Sequence, residues 1–233
     1  MTDLKSEGLA QEVSDRLKVK VDDIKPRLRG VLHAATWPLA FFGFLVMLVV
    51  ADSIKVRAGV AVFMVSALML FGVSAFYHTG HWSEATKARW KRVDHANIFV
   101  LIAGSYTPFA LLLLDTKNAW ILLSLVWGGA ILGMLFRVFW IGAPRWLYVP
   151  IYLALGWAAL FWMGDFQKSG GTAVLTLLAV GGGLYTLGAI VYGFKWPNPW
   201  PHWFGFHEVF HSLTIAAFIV HYIGVSLLAY QQY

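Results

Sequence analysis

The stretch His207-Glu208-Val209-Phe210-His211 opens an apolar run that continues to residue 229. Ionisable groups at membrane depth are costly, and their presence there points to function. The same pattern occurs twice more. Ser74-Ala75-Phe76-Tyr77-His78 closes an earlier apolar run, and Arg92-Val93-Asp94-His95 opens another. Seven such runs are legible, at about 31–50, 58–79, 94–114, 119–140, 146–164, 171–193 and 206–229. Each is near the roughly 20 residues needed to cross a bilayer. The expected fold is all-α: a seven-transmembrane helix bundle over 31–229, preceded by a polar segment over 1–30.

Composition supports this reading. The chain has 233 residues, 59% of them apolar and only 13% charged, with a mean hydropathy of +0.65. A soluble domain carries about 25% charged residues, so this is an integral membrane protein. Cysteine is absent, which excludes disulfides and thiolate metal sites and leaves His and carboxylate as the available ligands. The net charge of +6 does not indicate nucleic acid, because no basic stripe interleaved with aromatics is present. Lys and Arg instead collect in loops, as they do beside anionic lipid. The first thirty residues show neither an apolar h-region nor a small-residue cleavage site, so no signal peptide is expected. Leu9, Val13, Leu17, Val21, Ile24 and Leu28 recur there at helical spacing. Both an amphipathic helix on the membrane surface and a solvated helical tail fit that spacing.

With the N-terminus cytoplasmic, fourteen of the eighteen basic residues fall on the cytoplasmic side and four on the other. The positive-inside rule therefore predicts N-in, C-out. The second run then heads inward and the third and seventh head outward. His78, Asp94, His207 and His211, far apart in sequence, reach one depth near the cytoplasmic face.

On a helix, His207 and His211 lie one turn apart on one face and can grip one ion. His78 supplies a third ligand from the second run. Three protein ligands with an open fourth position is the catalytic zinc arrangement, in which a bound water has a pKa near ~7. Ser74, one turn before His78, is placed to hydrogen-bond an attacked carbonyl, and Asp94 to move a proton. The plainer reading makes these histidines packing residues or hydrogen-bond donors. The string also satisfies the H-E-x-x-H pattern of metalloproteases, but no second acidic ligand motif of an intramembrane protease occurs in another run. His33, His81, His95, His202 and His221 are read as packing or hydrogen-bonding residues, with His33 placed either behind the site or in the core.

Together these residues resemble the haemolysin III family, the bacterial branch of the progestin and adipoQ receptor proteins, within a superfamily that includes the alkaline ceramidases. The resemblance covers about 31–229. It rests on Ser74-x-x-x-His78, on Asp94 with Gly104 and Pro108 downstream, and on His207-x-x-x-His211 followed by His221. It implies a Zn2+ held by His78, His207 and His211, with Asp94 and Ser74 beside it, and an N-in topology in a bacterial inner membrane. It also implies hydrolysis of a lipid amide or ester bond, with membrane lipid as substrate or ligand. The alternatives are a receptor-like or membrane-homeostasis protein with structural zinc, and a haemolytic pore. The family commonly carries an acid shortly before its first span, where this chain has Lys25-Pro26-Arg27-Leu28-Arg29.

Overall fold

The computed structural model describes residues 26–140 and 142–230. The expected N-terminal helix over 1–30 lies almost wholly outside the described residues. Among the described residues the architecture is all-helical, with one isolated bridge between Trp200 and Phe204. The helices are α1 (Val31–Val50), α2 (Ile54–Thr79), α3 (Glu84–Leu113), α4 (Thr116–Phe139), α5 (Arg145–Gly156), α6 (Met163–Phe194) and α7 (Phe206–Tyr230). A 3-10 turn, Ala158–Trp162, joins α5 to α6. Six stretches are long and apolar enough to cross a membrane: α1, α2, α3, α4, the combined run Arg145–Phe194, and α7.

That combined run is not straight. Gly171 has φ 72° and ψ 179°, which breaks the helical geometry in a region that favours glycine. The two ends of the run lie side by side. Arg145 donates to the Tyr192 carbonyl (3.3 Å), the Tyr148 and Tyr192 hydroxyls are 3.2 Å apart, and Trp157 Nε1 donates to Thr186 Oγ1 (3.0 Å). The chain therefore doubles back within residues 145–194.

Side chains set the helix starts in the short connections. Ser53 accepts the Lys55 N–H, Ser83 the Thr86 N–H and Asp115 the Asn118 N–H, satisfying donors that have no intrahelical partner. The Asn118 backbone and side-chain hydrogen bonds hold the exposed Asp115 carboxyl below the usual carboxylate range. The Ser83 cap also starts α3 ten residues before Asp94. Asp94 therefore lies in the third turn of that helix and does not open it. The basic cluster Lys87–Arg92, expected in a loop, is helical. Arg137, counted above with the loop cations, is 1% exposed in the last turn of α4, with its guanidinium 4.2 Å over the Tyr148 ring.

The helix α3 is central and packs against α2, α4, α5, α6 and α7, while α1 closes the bundle between α2 and α7. Phe44, Phe63, Phe71 and Phe218 form edge-to-face pairs at 5.0–5.6 Å, the geometry the ring quadrupole favours. Outward-facing Leu39, Ile54, Leu132 and Phe139 are each at least 70% exposed. Apolar surface that extensive suits hydrocarbon and not water. Gly59 lets α2 approach α3 at Pro108, since a Cβ there would lie 2.9 Å from Pro108 Cα. Gly59→Leu is expected to lower stability by about 1–3 kcal/mol through overpacking, read as a drop in thermal midpoint in detergent. Gly183→Ala, with open space around it, should leave that midpoint nearly unchanged.

Candidate metal centre

The last turn of α2, the third turn of α3 and the first turns of α7 converge. His78 is reached from outside its own helix by Gly30, whose φ is 84° and whose Cβ, were it present, would lie 2.7 Å from His78 Cβ. A glycine here brings the start of α1 against the end of α2.

The α7 N-terminus is fixed by the one acid of that helix. Glu208 is fully buried, accepts from Arg29 Nε at 2.5 Å through Oε1, and accepts the Gly205 N–H at 2.9 Å through Oε2. Asn198 Oδ1 accepts the Phe206 N–H (2.7 Å). The segment before α1 pairs with the loop before α7, as the Arg27 and Leu28 N–H groups donate to the His202 and Trp203 carbonyls. Both Glu208 oxygens are thus engaged away from the histidines. The general-base role that H-E-x-x-H would assign to Glu208 would have to break the Arg29 or Gly205 contact.

The three sequence-predicted ligands come together. His78, His207 and His211 each offer a ring nitrogen, all within 4.8 Å of one another. The Nε2 atoms of His78 and His207 are 3.3 Å apart. Two nitrogens bound at 2.0–2.1 Å to one tetrahedral ion would be separated by about 3.3 Å, so this pair is already spaced as ligands. Buried His211 leaves its Nδ1 without a hydrogen-bond partner among the described residues, which is rare for a buried polar atom. Three imidazoles and no thiolate match a zinc donor set. The buried triad can hold a metal ion.

The structure also gathers the two other expected residues. Asp94 Oδ2 lies 3.9 Å from His78 Nε2 and 3.8 Å from His95 Nδ1, and Ser74 interacts with the Asp94 carboxylate. Of the histidines set aside above, His33 belongs here. Its ring stacks on His211 at 3.8 Å and 14°, and neither of its nitrogens has a partner among the described residues. An ionisable residue in an apolar run was the available signal, but the stacking partner was not legible. His95 is satisfied by the Lys91 carbonyl (2.7 Å) and the Tyr192 hydroxyl (3.1 Å). His221 lies deeper, 3.5 Å from the Leu178 carbonyl, and does not join the triad. His81 and His202 are exposed.

From this site a largely apolar cavity runs between α3, α5, α6 and α7, with about 1410 Å³ of empty space, open solvent included. Ser74, Asp94, His207 and His211 line one part of it, and Phe109, Met163 and Leu178 others.

Fold and site together define a multi-pass helical membrane protein with a buried histidine triad. The model of the family described as Haemolysin-III related matches residues 22–222, and the chain belongs to that family. It is 35% identical over 154 residues to the Hemolysin-3 homolog of Bacillus subtilis (strain 168), covering 66% of this chain and 69% of that protein. It is 32% identical over 131 residues to Hemolysin-3 of Bacillus cereus, covering 56% and 59%. It is 27% identical over 219 residues to the Adiponectin receptor protein of Drosophila melanogaster, covering 82% of this chain and 48% of that one. The chain thus spans between about half and about two thirds of the length of these relatives.

Two outcomes are expected. Elemental analysis of protein purified without chelator should find about one zinc per chain, lost in His211→Ala; a metal-free wild type would refute the triad as a metal centre. Arg29→Met should destabilise the fold by about 3–5 kcal/mol, because it strands a buried carboxylate, and Arg29→Met with Glu208→Leu should recover most of that loss in thermal unfolding.

Proposed function

We propose that this protein is a zinc-dependent hydrolase of a lipid amide or ester bond, spanning the bacterial inner membrane seven times with its N-terminus cytoplasmic. The observation that carries the reading is the position of the triad: three imidazole donors, a carboxylate and a hydroxyl beside a largely apolar cavity lined by Ser74, Asp94, His207 and His211. The seven-span count is supported by the reversal within Arg145–Phe194, which divides that run into two legs. N-in is supported by the loop charges, whose balance keeps its sign without Arg137.

His78, His207 and His211 hold the metal in this reading. When bound, zinc supplies Lewis acidity toward a carbonyl and lowers the pKa of water. The apolar cavity positions the chain of the substrate and excludes bulk water. Ser74 donates a hydrogen bond to the carbonyl oxygen as negative charge develops there. Asp94 takes a proton from the attacking water and returns it to the leaving amine or alcohol. His33 holds the His211 ring in plane by stacking.

The test is acyl release from a panel of N-acyl and O-acyl lipids by purified protein. Asp94→Asn should lower kcat about 10²–10⁴-fold and Ser74→Ala about 10²–10³-fold, both with zinc retained. Turnover unchanged in Asp94→Asn and His211→Ala would end the hydrolase reading. The printed name of the fly relative supports a receptor-like alternative, favoured if zinc is present but no lipid is turned over. The names of the Bacillus relatives support a lytic one, favoured by liposome leakage that survives loss of all three histidines.

A further inference from the structure

The apolar cavity continues well past the triad. Its wall takes in positions from Asp94 to Phe109 along α3 and from His207 to His221 along α7, a span of about 20 Å at the helical rise. Polar side chains in that wall are matched almost throughout. Ser105 and Thr214 each donate to a carbonyl one turn back at 2.9 Å, and Tyr106 donates to the Gly156 carbonyl at 2.6 Å. Thr186 donates to the Gly182 carbonyl and accepts from Trp157.

Two groups at the far end break that pattern. The Tyr185 hydroxyl and His221 Nδ1 are buried without a hydrogen-bond partner among the described residues, and both residues line the cavity. Their rings, one from α6 and one from α7, are 5.6 Å apart. His221 follows His211 on the same helix and lies about 15 Å deeper along its axis. The packing makes room for it there. A Cβ on Gly181 would collide with His221 Nε2, and Phe109 meets the His221 ring edge-on at 5.9 Å. Polar atoms without partners are costly in an apolar medium. Two of them meeting at one point of an otherwise satisfied wall call for an occupant.

The two groups have opposite hydrogen-bonding character. His221 Nε2 lies 3.5 Å from the Leu178 carbonyl, which can only accept. That nitrogen therefore carries the proton of a neutral ring, and Nδ1 is left as an acceptor. The Tyr185 hydroxyl supplies a donor. An acceptor beside a donor complements an alcohol, whose O–H donates while its oxygen accepts. A carbonyl would satisfy Tyr185 alone, and a plain methylene chain would satisfy neither.

We propose that Tyr185 and His221 form a second recognition site in the cavity, and that it takes a hydroxyl carried on the hydrocarbon chain of an amphiphile whose polar end lies at the triad. A small turn of either ring toward the cavity brings its polar atom to that hydroxyl. That the amphiphile is a substrate rests on the hydrolase reading, whereas the recognition site is tested by binding without turnover.

The experiment is calorimetric binding to purified full-length protein in an uncharged detergent. The probes are 12-hydroxystearate, whose hydroxyl stands from its carboxylate at a distance comparable to that between His221 and His211, together with 12-oxostearate, 2-hydroxystearate and stearate. None contains an amide or ester bond to hydrolyse. 12-Hydroxystearate should bind about tenfold tighter than each of the others, as two added hydrogen bonds allow. Tyr185→Phe and His221→Leu should each cut that preference to about threefold or less, with zinc content unchanged. Because the Tyr185 hydroxyl has no partner to lose, Tyr185→Phe should leave the ligand-free thermal midpoint unchanged or raised. A clear fall in that midpoint would reveal a structural hydrogen bond and overturn the site. If His221→Leu does not fold, Tyr185→Phe carries the test. Stearate or 2-hydroxystearate binding as tightly as 12-hydroxystearate overturns the proposal, and 12-oxostearate doing so overturns the alcohol. A full preference retained in Tyr185→Phe overturns the assignment to this pair. Selective binding by a protein that turns over no lipid would leave the site standing while the hydrolase reading falls.

Discussion

The ion pair between Arg29 and Glu208 joins the segment before α1 to the first turn of α7, with the carboxylate fully sequestered from solvent. A charge buried to that degree is tolerable only while its partners stay in place. Glu208 stands between His207 and His211, so fixing its side chain fixes the helix that carries both. The stacking of His33 on His211 and the approach of Gly30 to His78 depend on the same docking of α1. One interaction across 179 positions of sequence therefore registers three helices at the triad.

The bundle solves a second problem with the same parts. Polar atoms in an apolar medium need partners, and most here have them: His95 and Tyr148 converge on Tyr192, and Trp157 reaches Thr186. The unpartnered nitrogens among the described residues concentrate on the histidines, including both of His33 and one of His211. Arg92 Nε, Arg137 Nε, Tyr185 Oη and His221 Nδ1 are also without a partner, but only His33 and His211 bring such atoms together at the triad, where a ligand could satisfy them.

His207 and His211 were legible because four-residue spacing on a helix is a short-range geometric fact. His78, Asp94 and Ser74 were legible because they are polar or ionisable groups at the ends of apolar runs. The start of α3 was not, because the charges of Glu84–Arg92 break the apolar run, and the Ser83 cap with the packing of Trp90 on Phe76 shows that the helix begins there. Arg137 read as a loop cation because a basic residue beside an apolar run usually is one. Its burial depends on the face of Tyr148, eleven residues on and in another helix.

The sequence by itself determined that the chain is a helical membrane protein and which residues could ligate a metal, since hydropathy and helical period are local quantities. Tertiary structure alone decided that Glu208 is a structural anchor for α7, that His33 stacks on His211, and that the run Arg145–Phe194 doubles back at a left-handed glycine. Each of these depends on which distant side chain fills a contact once the helices have packed. That choice is made by volume and charge complementarity among elements that no stretch of sequence contains together.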